Sequence, residues 1–175
     1  MTRSPSNIIL IGMPGAGKST IGVILAKQAS LQFVDTDILI QSGQKRTLQD
    51  IVDSDGYEIL RQIEEKALLR LDIRNCVIAT GGSAVYSDRA MQHLKREGIA
   101  VFLEVDLAVL ESRVRDYSRR GLAKRPDQDF ADLFHERSLL YRKYADITIS
   151  NFKLTPEEIC AEIIARTRKL LNRAE

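Results

Sequence analysis

The chain reads as a three-layer α/β/α domain built around a five-stranded parallel sheet, and three observations carry that expectation. Apolar runs of strand length alternate with segments of helical periodicity along the sequence. A glycine-rich loop, Gly12-Met13-Pro14-Gly15-Ala16-Gly17-Lys18-Ser19, joins the first apolar run to the first helical segment. Polar clusters fall just after the first three strands, at the edge where open parallel sheets gather their ligands.

Taken in order, residues 8–11 form the first strand and residues 20–29 a helix, with Ile21, Ile24 and Leu25 on one face. Residues 31–34 make a short second strand that runs into Asp35-Thr36-Asp37. Residues 38–42 and 47–53 have the spacing of short helices. Gly56 interrupts the periodicity, which resumes over 57–71 with Ile59, Leu60, Ile63, Ala67 and Leu68 expected on one side. Residues 77–80 are the third strand, closed by Gly81-Gly82-Ser83. A helix over 88–97 leads to the fourth strand, 99–103, and another over 106–116 leads into 117–127, where glycine, proline and cations replace the periodicity. A helix over 129–144 and a fifth strand at 147–149 precede the last helix. There Thr155, Pro156 and Glu158 supply the cap, the first-turn proline and the glutamate of a capping box.

With 175 residues, 44% hydrophobic and 29% charged, the sequence suits one domain with a true core, spanning 1–175. A net charge of +2 provides no overall field to attract nucleic acid or a membrane surface. No apolar run has the length of a membrane span or a secretory signal. Cys76 and Cys160 lie far apart without metal-like spacing and read as small core residues, as expected in a reducing cytoplasm. His93 and His135 lack partners at ligand spacing and read as surface or half-buried helix residues. Arg113, Arg115, Arg119, Arg120, Lys124 and Arg125 crowd together, but no aromatics interleave with them to stack bases.

The glycine-rich loop has the G-x-x-x-x-G-K-S spacing of a phosphate-binding loop, in the strand–loop–helix context that such a loop requires. Its glycines let successive N–H groups turn inward on an anion, and the following helix adds the positive end of its dipole. Gly12, Pro14, Gly15, Ala16, Gly17, Lys18, Ser19 and Thr20 are therefore expected to hold a nucleoside triphosphate. Lys18 would reach the β- and γ-phosphates, and the Ser19 hydroxyl would bind Mg²⁺. The bland alternative is a turn that matches by chance; eight constrained positions in the right context weigh against it.

Other clusters admit two readings each. Asp35 and Asp37 can divide labour, one serving Mg²⁺ through water and the other orienting the hydroxyl to be phosphorylated; alternatively Asp37 simply caps the helix at Ile38. Arg61 and Glu64 form either a surface ion pair or a guanidinium fork for a substrate carboxylate, held in place by Glu64. Gly81 and Gly82 either offer backbone N–H groups to a ligand or make a tight turn. Within a mobile lid over about 113–127, Arg120 is the choice for stabilising charge on the transferred phosphoryl, with Arg113 second. Arg137 is an ordinary helical cation unless it faces the cleft.

Together these residues resemble the shikimate kinase family, among the nucleoside-monophosphate-kinase-like P-loop folds, from Ile8 to about Ser150. The resemblance implies a cytoplasmic, monomeric enzyme that uses ATP and Mg²⁺ to phosphorylate shikimate in aromatic amino-acid biosynthesis. It implies Asp35 as the Mg²⁺ aspartate and Asp37 as a ligand of the shikimate hydroxyls. Arg61 and Arg137 become a clamp for the shikimate carboxylate, Gly81 and Gly82 part of the acceptor loop, and Arg113 and Arg120 nucleotide and lid arginines. Four places depart from the family pattern: Tyr57 replaces glutamate, Leu60 phenylalanine and Ser83 a third glycine, and the lid reads Arg120-Gly121-Leu122-Ala123 instead of Arg-Pro-Leu-Leu. All four lie on the acceptor side or the lid, leaving open another small hydroxylated acid, or a nucleotide-binding regulatory module without catalysis.

Overall fold

The first apolar run shows no alternation because both of its faces are covered, as in the central strand of a parallel sheet. In the computed structural model, which describes residues 5–113, 121–150 and 154–172, this run is β1 (Asn7–Ile11), with Ile9, Leu10 and Ile11 fully buried. It is the middle strand of a five-stranded, all-parallel sheet of order β2-β3-β1-β4-β5. The other strands are β2 (Gln32–Asp35), β3 (Cys76–Ala79), β4 (Gly98–Glu104) and β5 (Ile147–Ser150). Leu10 pairs with Ala79, and Asp35 also stands beside Ala79, so β1, β2 and β3 end together. Because β3 and β4 lie on opposite sides of β1, the chain changes direction across the sheet where the phosphate loop leaves β1.

Helices cover the sheet. They are α1 (Lys18–Ala29), α2 (Thr36–Gln44), α3 (Leu48–Asp55), α4 (Tyr57–Leu69), α5 (Asp88–Lys95), α6 (Leu107–Arg113), α7 (Phe130–Tyr144) and α8 (Pro156–Leu171), with a short 3₁₀ turn at Ala84–Tyr86. Helix α1 packs against α8 and β3, while α5 packs against α4 and β4. The expected capping box at Thr155 and Glu158 is present, and a second one joins Thr47 to Asp50 at the start of α3. Among the described residues, no helix is long and apolar enough to cross a membrane. Cys76 and Cys160 are buried free thiols, as expected. His93 is half-buried and His135 exposed.

Two features of the helices differ from expectation. Helix α1 begins at Lys18, earlier than Thr20, because Gly17 adopts a left-handed conformation (φ 93°) that turns the loop directly into the helix. In α4 the buried face is Leu60, Glu64 and Leu68, a stripe with four-residue spacing, whereas Ile59 is 38% exposed. The helix is thus rotated so that a carboxylate, and not Ile59, faces inward. Leu60 joins Ile40, Ile51 and Ala123 in a small second core, separate from the main one, that ties α2, α3 and α4 to the segment after residue 120.

Candidate active site

A cavity of about 650 Å³ opens beyond the carboxyl ends of β1, β2 and β3. Lys18, Asp37, Glu64, Gly81 and Arg137 all line it, contributed by α1, α2, α4, the loop after β3 and α7. Residues far apart in sequence therefore meet where the expected phosphate loop and acceptor residues were to converge.

The phosphate-loop side is built for an anion. Helix α1 has no side-chain cap and no acidic residue in its first turn, so its first N–H groups and its dipole remain available. Lys18 is buried, and its Nζ donates to the carbonyl oxygens of Gly12 at 2.7 Å and Met13 at 3.0 Å. Burial pulls the Lys18 pKa down to about 8, opposed first by the negative charge of Asp37. Arg113, at the end of α6, donates to the Gly15 carbonyl at 3.3 Å, which brings it to the loop.

The Ser19 hydroxyl donates to Asp35 Oδ2 at 2.6 Å. The other oxygen of Asp35 accepts from the N–H groups of Asp37 at 3.0 Å and Ile38 at 3.3 Å. Asp35, not Asp37, is therefore the cap of α2, and capping leaves the Asp37 side chain free to enter the cavity. Burial raises the Asp37 pKa, and the neighbouring Lys18 holds the rise back. Thr36, between them and fully buried, accepts the Gly81 N–H at 3.0 Å. The expectation that Gly81 offers its own N–H to a ligand is thereby corrected: Thr36 occupies it. What Gly81 supplies is close approach. A methyl group at that position would collide with Glu64 Oε1 and come within 2.7 Å of Asp37 Oδ1.

The acceptor side holds the largest departures from expectation. Glu64 does not orient Arg61; its Oε2 accepts from the Ser83 hydroxyl. Burial, reinforced by Asp37, pushes the Glu64 pKa up to about 7. Arg61 instead lays its guanidinium over the Tyr86 ring, 3.6 Å from the ring centre, with Tyr57 at 5.1 Å. It does not line the cavity wall but reaches its edge. There Arg61 Nη2 and Arg137 Nη2 donate to one acceptor, the Ala123 carbonyl, at 2.9 and 3.0 Å. Arg137 is 1% exposed, not an ordinary surface cation. The Nε atoms of both arginines are buried and, among the described residues, have no partner. Tyr141, whose hydroxyl donates to the Gly82 carbonyl at 2.7 Å, fixes the glycine loop against α7.

Arg120, Arg115 and Arg119 lie outside the described residues. Of the remaining cations in that cluster, Lys124 donates to the Gln128 carbonyl at 2.8 Å and Arg125 pairs with Glu136 at 3.1 Å. Sequence reasoning missed Thr36, Ser83, Tyr86 and Tyr141 as supports of the site. For Glu64 a signal existed, since Leu60, Glu64 and Leu68 share helical spacing. For the others the partners lie on distant segments.

A family model described as shikimate kinase matches residues 14–168. The shikimate kinase of Sulfurihydrogenibium sp. is 34% identical over 93% of this chain and 98% of its own. Among solved structures, shikimate kinase from Acinetobacter baumannii in complex with shikimate superposes with a TM-score of 0.85 at 31% identity, covering 94% of each chain. Shikimate kinase from Aquifex aeolicus gives 0.80 at 32% identity over 93% of this chain and 96% of that one.

Proposed function

This chain belongs to the shikimate kinase family and is an ATP-dependent kinase for a shikimate hydroxyl; we propose that the transfer takes place in the cavity shared by Lys18, Asp37 and Arg137. The observation that carries this assignment is the meeting of an anion cradle, a buried carboxylate and a buried guanidinium in one cavity at the sheet edge. The shikimate carboxylate is held by Arg137 and Arg61, whose unpartnered Nε–H groups are suited to a planar anion. With the acid so fixed, its ring hydroxyls reach toward Asp37.

Asp37 accepts the proton of the attacking hydroxyl as its oxygen bonds to the γ-phosphorus and the bond to the bridging oxygen of ADP breaks. Burial favours proton uptake by Asp37, and Lys18 limits it. Lys18 and, from the lid, Arg120 balance the charge on the transferred group. The hydroxyl of Ser19 and the carboxylate of Asp35, already 2.6 Å apart, form a hard-oxygen donor set that fits Mg²⁺; the ion would neutralise phosphate charge there. Most of the rate enhancement comes from positioning and preorganised charge. We take the active species to be a monomer in the cytoplasm.

An ADP-release assay over a panel of acceptors tests the assignment. Turnover with shikimate is expected. Turnover only with another hydroxylated acid, or with none, would overturn the acceptor reading.

A further inference from the structure

Glu64 is a buried carboxylate in the transfer cavity to which the proposed chemistry gives no task. Its placement is specific. The stripe of Leu60, Glu64 and Leu68 points it inward from α4, where it is 3% exposed. One oxygen, Oε2, accepts from the Ser83 hydroxyl. The other, Oε1, accepts no hydrogen bond among the described residues. That free oxygen lies against Gly81, on the same approach as Asp37 Oδ1. Two carboxylates, from α2 and α4, thus converge on one glycine. A buried acceptor left without a donor is costly, so the donor belongs to whatever fills the cavity.

Ser83 decides which oxygen is left free. The residue is buried, with φ −95° and ψ 0°, a conformation that does not require glycine. A side chain there adds a donor that glycine lacks. Without it, the cations facing Glu64 are Lys18 from α1 and Arg137 from α7, and both compete for the carboxylate. Arg61 is not available as a substitute holder, being engaged with Tyr86 and the Ala123 carbonyl.

We propose that Ser83 is a positioning residue for the acceptor: it holds Glu64 Oε2 so that Oε1 accepts a hydrogen bond from a second acceptor hydroxyl beside the one bound by Asp37. This rests on the cavity being the shikimate site. The charges around Glu64 bear on the pH response. Burial and Asp37 raise its pKa to about 7, while Ser83, Arg137 and Lys18 lower it. Removing the Ser83 hydroxyl therefore carries the titration of Glu64 upward.

The test is steady-state kinetics of the full chain with ATP and shikimate, for wild type and Ser83→Ala, Ser83→Gly and Ser83→Thr, across the titration range of Glu64. Ser83→Ala and Ser83→Gly are expected to raise the shikimate KM about tenfold, with the ATP KM unchanged. Their acid-side midpoint in kcat/KM for shikimate moves to higher pH, and Ser83→Thr, which keeps the hydroxyl, restores both. A lowered melting temperature with unchanged KM and midpoint would make the serine merely structural and overturn the inference. An active wild type matched by Ser83→Ala in KM and pH profile would overturn it alone. Absent wild-type turnover with shikimate would overturn the acceptor reading and this inference with it.

Discussion

The backbone N–H of Gly121 donates to Gln49 Oε1 at 2.7 Å, fastening the segment after residue 120 to the first turn of α3. Gln49 is itself held from behind, its Nε2 donating to Asp53 Oδ1 at 2.7 Å. Gly121 takes φ +58°, and a methyl group there would run into the Leu48 backbone and come within 2.6 Å of the Gln49 nitrogen. The neighbouring Leu122 and Ala123 are buried, and the Ala123 carbonyl is the atom that both Arg61 and Arg137 hold. The segment 121–123 is thus built into the wall of the cavity that Lys18, Asp37 and Arg137 share.

Proline at position 121, as in the family pattern, cannot be accommodated by this anchor. Proline locks φ near −65° and has no N–H to give Gln49. Gly121→Pro should lower kcat/KM for shikimate by about tenfold or more, since displacing Ala123 disturbs both arginines. Gln49→Ala removes two hydrogen bonds, to Gly121 and to Asp53, about 2 kcal/mol together, and should lower the melting temperature by about 4–8 °C with a smaller kinetic effect. Wild-type kinetics in Gly121→Pro would show that the segment 121–123 does not shape the acceptor site.

Lys18 offers a pH-dependent test of the phosphate loop. Its pKa of about 8 lies below the usual lysine value because the side chain is buried. A triphosphate favours the charged form, so binding near and above pH 8 should draw in a proton. Nucleotide affinity should fall as pH rises through the Lys18 pKa, and calorimetry in buffers of different ionisation heat should detect the uptake. Lys18→Ala should abolish both the uptake and, by about a thousandfold or more, turnover. Proton uptake persisting in Lys18→Ala would assign the titration to another group.

What could be read from the sequence was what neighbouring residues encode together. The phosphate loop, the continuous burial of β1, and the Thr155–Glu158 box each lie within a few residues of chain, and the structure contains all three. Asp35 and Asp37 were legible as a pair, but their division of labour depended on which one caps α2. The remainder of the site is made by contacts across long sequence separations. Thr36 meets the Gly81 N–H, and Arg61 meets the Ala123 carbonyl. The groups reached are backbone atoms, which carry no residue signature. The Arg61–Glu64 pair shows the converse error: helical spacing permits that contact, yet α4 turns Glu64 inward to Ser83 and leaves Arg61 to Tyr86.

Glu64 should also leave a mark on stability. Its folded pKa of about 7 lies above the ordinary glutamate value of 4.5, so between those values the folded state binds more protons than the unfolded chain. Stability contributed by the protonated form is present below the unfolded pKa and is lost as pH rises through about 7. Glu64→Gln removes this loss. Relative to wild type it should be more stable above neutral pH, by about 3 kcal/mol, and the difference should vanish in acid. The facing charges of Lys18, Asp37 and Arg137 remain in the variant, so denaturant titrations at acid and alkaline pH isolate Glu64. A stability difference independent of pH would mean that Glu64 does not titrate in this range.

Arg61 and Arg137 should behave as one coupled device. Each loses charge-assisted hydrogen bonds to the acid on truncation, so Arg61→Ala and Arg137→Ala should raise the shikimate KM about ten- to a hundredfold, with little change in the ATP KM. Arg137 should be the more sensitive, because it lines the cavity and is 1% exposed, whereas Arg61 stands at its edge. Because both hold the Ala123 carbonyl, the first substitution already loosens what the second would release. The double variant should therefore fall short of the product of the single effects. An acceptor analogue lacking the carboxylate supplies the control, since it should bind wild type and Arg137→Ala alike. An unchanged shikimate KM in Arg61→Ala would confine Arg61 to its stack on Tyr86 and leave the carboxylate to Arg137 alone.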